Sequence, residues 1–364
     1  MATTTTEYRL AHEAGLKAFV RNVLAKVEVA PADAAIVADV LVASDLRGIE
    51  SHGVARLESF YVNRLRAGTI EAAPATRVVR ETDTSILIDA GNGLGHPTAK
   101  RAMESVIEKA EKHGAAFGAV RNSNHYGIAG YYAMLALEHD LIGMASTNSV
   151  RLAAPTYGRE LMLGTNPLAF AIPTDKEPAF VLDFATTTVP RGKLEVYDRK
   201  DKPLQPGWAI DADGVETLDA KVALTGALLP LGGFGIDTGG HKGYGLGLLV
   251  DIFCGVLSGG KFGNETPRPT DAAVPGAISH WFAAFRVDGF RDIAEFKRDM
   301  DKEVRDFKDS QKVPGQDRIY VAGEIEHEKT LAHRANGVPV HIKVWEGLEK
   351  LARDLDVPFD FEKR

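Results

Sequence analysis

Apolar residues recur at helical spacing from the start of the chain. Residues 8–28 and 31–46 read as two amphipathic helices, with Pro31 in a first turn and Ile36, Val37, Val40 and Leu41 on one face. A third helix is predicted after Ser51, because Val54, Leu57, Tyr61 and Leu65 keep the period and Gly68 supplies a stop. Ser51 is its candidate N-cap, which puts His52 in the first turn. The pattern then alternates. Strand Ser85–Asp89 is followed by a helix carrying Ala99, Ala102, Met103, Val106, Ile107 and Ala110, a strand at 115–120, a helix to about His139 and a strand at 141–146. This alternation predicts an α/β fold. Further strands are expected at 168–172, 179–183 and 281–287, with the polar, Gly/Pro-containing stretch 198–240 as connecting loops. The apolar run 246–257 reads as a helix, 292–310 as a charged helix with a solvated face, and the segment from Gly337 to Val357 includes a last amphipathic helix.

Composition narrows the class. A chain of 364 residues with 45% hydrophobic content can bury one or two sizeable cores. A formal charge of −7 argues against nucleic acid as a partner. The single cysteine, Cys254, excludes an internal disulfide and speaks against a Cys-based metal site. The residues from Met1 to Glu7 lack an apolar signal core and no apolar run is long enough for a membrane span, so a soluble cytoplasmic protein is expected.

Candidate chemistry gathers at three places. The stretch Gly239–Gly247 runs into the apolar helix and includes His241, Lys242 and Gly243. Glycines before a helix start, with a lysine among them, suit a phosphate group; a Gly-rich turn feeding a tightly packed helix is the plainer alternative. The glycine spacing matches neither the Rossmann fingerprint nor a P-loop. His52 and His125 each follow a polar residue at a junction into a helix, where the helix start disfavours imidazolium and leaves a neutral ring for acid/base work. Arg47 and Arg56 flank His52, and a guanidinium beside a neutral histidine suits a carboxylate substrate. Asp183 closes an apolar strand and is placed to accept ribose hydroxyls or to cap a turn. No His/Asp/Glu pattern has metal-ligand spacing, and no metal is expected.

These segments together are recognisable. Asp45–Leu57, Asn122–Tyr132, Gly164-Thr165-Asn166-Pro167, Leu182–Thr186, Arg191-Gly192-Lys193, Pro206-Gly207-Trp208-Ala209 and His241–Gly247 resemble the malate/L-lactate dehydrogenase family, which also takes in sulfolactate and ureidoglycolate dehydrogenase-like enzymes and is distinct from the Rossmann-type dehydrogenases. The resemblance implies a mixed, largely antiparallel sheet in a non-Rossmann dinucleotide-binding domain, 76–289, and a helical domain built from both termini, 1–75 plus 290–364. It implies NAD, with NADP as the alternative, a small carboxylate substrate and a homodimer with sites near the subunit interface. Hydride transfer to or from a 2-hydroxy or 2-oxo acid is the expected reaction, with reduction of a cyclic imino acid as the alternative within the family. A metal-dependent hydrolase or lyase using His52 and His125, and a nucleotide-binding module without catalysis, are the rivals outside it. Carried over by position, the catalytic residues are His125 and His52. Ser51, Arg56 and, from its place beside them, Arg47 serve the substrate. The cofactor positions are Ser149, Asp183, Phe184, Ala185, His241, Lys242 and Gly243, with Gly323 and Glu324 in a segment that reads Ala322-Gly323-Glu324 where the family often has Pro first. His125 is taken first as the acid/base, with its tautomer set by Asn124, and His52 as the group that orients the substrate oxygen. Asp183 would disfavour a 2′-phosphate and so NADP, although Arg191 and Lys193 lie close by in sequence.

Overall fold

The computed structural model describes residues 7–269 and 274–363, so the stretch Met1–Thr6, within the segment read as lacking a signal core, lies outside it. A seven-stranded sheet forms the centre, in the order Arg77–Glu81, Ser85–Asp89, Ala115–Ser123, Ile278–Arg286, Leu141–Thr147, Leu168–Ile172, Phe180–Phe184. Only Ser85–Asp89 and Ala115–Ser123 run parallel; the other neighbours are antiparallel. The parallel pair needs a crossover, and helix Gly95–His113 supplies it. That helix turns Ala99, Ala102, Met103, Val106, Ile107 and Ala110 into the same core as Ile86, Val120 and Phe282 of the sheet. The mixed sheet is the architecture that the resemblance implies, and it is not a doubly wound parallel one.

A second core joins the two ends of the chain. Phe19, Leu24 and Leu41 from helices Glu13–Ala25 and Pro31–Leu46 pack with Trp345, Leu348 and Phe361. Strand Tyr8–Ala11 pairs antiparallel with Val338–His341. Residues 8–28 are therefore not one helix: the first four described strand residues satisfy their backbone groups across the chain, and the helix starts at Glu13.

Three further expectations change. The stretch 198–240 is more ordered than connecting loops, because Ala209–Ile210 and Ala227–Leu228 form a short ladder and helix Ala220–Ala223 packs beside it. The charged helix Ile293–Asp309 keeps its solvated face, but Asp301, one of the charges read onto that face, is buried and accepts the backbone N–H groups of Asp175, Lys176 and Glu177. Helix Gly240–Asp251 begins six residues before the expected 246, so its glycines lie inside the first turns rather than ahead of them. Among the described residues no helix is long and apolar enough to cross a membrane.

Candidate active site

The site is built first by a carboxyl group under a loop. Asp45, buried near the end of helix Pro31–Leu46, accepts the Val54 N–H at 2.8 Å. A Cβ on Gly53 would fall 1.9 Å from Asp45 Oδ1, so only glycine allows this approach. Burial pushes the Asp45 carboxyl up to about 8, against the opposing hydrogen bond from Val54. The clamp presents the short turns Glu50–His52 and Val54–Arg56 and a widened, π-type stretch, Leu57–Val62. Ser51 caps no helix here. Its hydroxyl lies 2.9 Å from His52 Nδ1, and its carbonyl accepts Arg56 Nε–H at 2.6 Å.

His125 reaches the same place from the other core. It follows strand Ala115–Ser123, and its ring stacks on His52 with centroids 5.5 Å apart. Asn124 does not touch that ring: its amide donates to Asn92 and Gly93 and pins the backbone. The partners of His125 Nδ1 are instead the Tyr61 hydroxyl at 2.7 Å and the Gly127 N–H at 3.4 Å. Both histidines lean neutral, as expected, but not because of helix starts. Helix Ala129–Leu135 begins four residues beyond His125, and His52 closes a short turn. Burial and the Arg56 charge hold His52 down to about 4. Burial, then His52, His96, Arg56 and Arg64, hold His125 well below the usual imidazole range.

Arg56 lies over the Phe60 ring at 4.7 Å, and Arg64 over the same ring at 5.4 Å. Among the described residues neither guanidinium forms an ion pair with an acid. Arg47 belongs elsewhere. It is largely buried, with Nη1 3.4 Å from Met134 Sδ, no partner for Nε, and Glu326 and Asp183 as the acids whose charge it feels.

A connected path leads from the imidazoles to the positions expected to meet the cofactor. Asp183 Oδ2 accepts the Gly130 N–H at 2.8 Å, five residues beyond His125 in the chain, and burial lifts this carboxyl to about 6. It lies inside strand Phe180–Phe184, at an antiparallel edge. Phe184 and Ala185 then line an open, mainly apolar groove of about 490 Å³ with Leu182, Thr188, Pro190 and Leu231. A Cβ on Gly243 would meet Leu231 O at 2.1 Å, so the groove wall and the first turn of helix Gly240–Asp251 touch backbone to backbone. No side chain caps this helix, and His241 and Lys242 stand exposed in its first turn. Uncapped N–H groups, an ammonium and an apolar groove have the chemistry that would fit a dinucleotide, with a phosphate at the helix start and a ring in the groove.

The remaining positions are mostly framework. Ser149 Oγ accepts Thr165 N–H at 3.1 Å and its own N–H donates to Asn166 Oδ1, so it shapes the Gly164–Asn166 turn. Gly323 adopts φ +88° against Val181, and Ala322 O accepts the Val181 N–H. Glu324 is buried and its Oε1 pairs with Lys308 and Arg318, each at 2.8 Å, which leaves it anchoring the sheet edge. Tyr61 is not legible in the sequence as a site residue, because its spacing reads as core and its hydroxyl partner is 64 residues away. Among the described residues no cluster of three or more His, Cys, Asp or Glu is disposed to hold a metal ion.

Comparison with known proteins identifies the family. The model of the malate/L-lactate dehydrogenase family matches residues 12–349. The chain is 45% identical to malate dehydrogenase of Pyrococcus abyssi over 94% of each chain. It is 36% identical to L-sulfolactate dehydrogenase of Methanocaldococcus jannaschii, over 93% of this chain and 95% of that one. The crystal structure of malate dehydrogenase from Entamoeba histolytica superposes with a TM-score of 0.93 at 36% identity, covering 98% of this chain and 100% of the other. Fold and site thus define a nicotinamide-dependent dehydrogenase of the non-Rossmann kind. The chain belongs to the malate/L-lactate dehydrogenase family.

Proposed function

We propose that the protein interconverts a 2-hydroxy acid and its 2-oxo acid with NAD, and that a four-carbon dicarboxylate of the malate type is its substrate. The observation that carries this reading is Arg56, a guanidinium with no acidic partner among the described residues, beside two neutral imidazoles. Arg56 pairs with the carboxylate next to the reacting carbon, and Arg64, across Phe60, supplies charge for a second carboxylate. The imidazole pair takes the hydroxyl proton and holds the oxygen, while the bound nicotinamide supplies the hydride chemistry. The chain's own share is positioning, proton handling and exclusion of water. A relative at 45% identity that is named malate dehydrogenase supports the choice of substrate.

NAD is preferred to NADP because the nearby cations are already engaged. Arg191 donates to Leu224 O and pairs with Glu195, and Lys193 sits over the Trp208 ring. The enzyme works as a homodimer. Helix Gly240–Asp251 and its continuation expose Leu249, Ile252, Val256 and Leu257 at 41–61%, and a second copy of the chain would cover this face near the cofactor turn. The test is a panel of oxaloacetate, pyruvate and cyclic imino acids with NADH and NADPH, followed by absorbance with and without a chelator. Oxaloacetate with NADH is expected to give the highest kcat/KM, unaffected by the chelator. No nicotinamide oxidation with any acid, or chelator-sensitive chemistry without cofactor, refutes the reading.

A further inference from the structure

The helix end that leads into the site is gripped by a segment from near the other end of the chain. Glu326, Lys329 and His333 share one face of helix Glu324–Asn336, because their spacing follows the helical period. That face lies against the end of helix Pro31–Leu46. Arg47 feels the charge of Glu326, and the Lys329 stem occupies the place where a Cβ on Gly48 would fall. Gly48 turns the chain with φ +71° and leads into the turns Glu50–His52 and Val54–Arg56. His333 supplies the hydrogen bonds: its Nδ1 lies 2.8 Å from the Leu46 carbonyl oxygen and 3.2 Å from that of Asp45.

A carbonyl oxygen can only accept, so Nδ1 of His333 carries a proton whenever these bonds are made. The last carbonyls of a helix have no partner within it. Among the described residues no backbone N–H reaches the Leu46 oxygen, and the imidazole takes that place. Asp45 is held twice over. Its carbonyl faces His333, and its carboxyl accepts the Val54 N–H at 2.8 Å. Ser51 and His52 lie between these two anchors, and Arg56 follows directly after the second.

We propose that His333 is a positioning residue for the reaction: by donating from Nδ1 to the carbonyls of Asp45 and Leu46, it fixes the helix end from which the turn bearing Ser51, His52 and Arg56 departs. Without that donor the two carbonyls turn to water and the helix end frays. Arg56 and His52 then lose their common alignment, while the helix Gly240–Asp251 and its groove, on another part of the fold, are unaffected. The His333 imidazole itself touches neither substrate nor cofactor.

The kinetic consequence rests on the dehydrogenase reading; the clamp does not, and it is measured first. Nitrogen-15 spectra of the full-length, histidine-labelled protein, with the His333 signals assigned by their loss in His333→Asn, are expected to show a protonated Nδ1; a bare Nδ1 overturns the proposal. In His333→Leu, amide exchange across residues 48–56 is expected to quicken by about tenfold, and in His333→Asn, whose amide keeps a donor at the same place, to stay near wild type. With oxaloacetate and NADH, His333→Leu should lower kcat and raise the acid KM, each by about tenfold, with NADH affinity within about twofold, and His333→Asn should recover most of both. Equal loss in the two variants assigns the effect to packing and overturns the proposal, as do wild-type exchange and kinetics in a folded His333→Leu protein. If the wild-type protein turns over no acid, the dehydrogenase reading fails, while the spectrum and the exchange still decide the clamp.

Discussion

The imidazole rings of His52 and His125 lie nearly face to face, with centroids 5.5 Å apart and planes 24° from parallel. Two imidazolium charges at that separation repel, so the pair holds at most one proton readily. His52 Nδ1 meets a serine hydroxyl, which can turn either way, whereas His125 Nδ1 meets a backbone N–H, which cannot. We predict on this ground that the proton that comes and goes belongs to His52. His52→Ala is expected to lower kcat ~10²–10⁴-fold and to flatten the acid limb of the oxidation profile. That limb falls as pH drops through the depressed His52 value of about 4. His125→Ala is expected to lower kcat ~10²–10³-fold and to keep the limb. Profiles of kcat against pH decide it: loss of the limb only in His125→Ala exchanges the two roles, and wild-type rates in both variants end the imidazole mechanism.

Arg56 is predicted to hold the substrate through a paired hydrogen bond to its carboxylate. It is braced by the Ser51 carbonyl at Nε and by the Phe60 face. Lysine keeps the charge and loses the planar fork. Arg56→Lys should raise KM for the oxo acid by about tenfold or more, with NADH affinity unchanged. Steady-state kinetics on several oxo acids check this, and an unaltered KM for all of them removes Arg56 from the site.

Lys242 stands in the uncapped first turn of helix Gly240–Asp251. Its ammonium and the helix start favour the same anion. Lys242→Ala should weaken NADH binding by about 1–2 kcal/mol, roughly 5- to 30-fold, and leave kcat at saturating cofactor intact. Wild-type affinity should also fall with added salt more steeply than that of the variant. Calorimetric titration at two ionic strengths measures both, and an unchanged dissociation constant rejects the phosphate role.

Asp45 makes a prediction about stability. Its folded value of about 8 lies above the unfolded carboxylate value of about 3.9, so between these limits the folded state binds the extra proton. The group's contribution is present below about pH 4 and is lost as pH rises through about 8. The stability difference between Asp45→Asn and wild type should therefore grow in favour of the variant by about 1.4 kcal/mol per pH unit across that window. Asparagine retains an oxygen for the Val54 N–H, so the loop clamp survives. Denaturant unfolding of both proteins from pH 5 to 8 tests this; a difference that does not change with pH contradicts a protonated Asp45.

Short-range order made much of this protein legible. The helical period from Pro31 to Leu46 and the alternation from Ser85 to Thr147 named the main elements, because side-chain direction repeats within a few residues. Ser51, His52 and Arg56 were found as a group for the same reason: one turn of backbone brings them into contact. The resemblance carried the mixed sheet, which periodicity alone does not reveal.

Tertiary structure decided what lay beyond that range. Strand Ile278–Arg286 enters the middle of the sheet between strands from much earlier in the chain, a register set by burial on both faces. The Tyr8–Ala11 segment left its helix because Val338–His341 offered a ladder. Asp183 turned to Gly130, and Tyr61 to His125, because a buried polar group takes the partner that folding brings within reach. The sequence by itself determined which side chains were available for acid/base and anion chemistry. The structure alone decided which nitrogen of His125 is engaged, since Tyr61 and Gly127 meet that atom only after two separate cores have packed together.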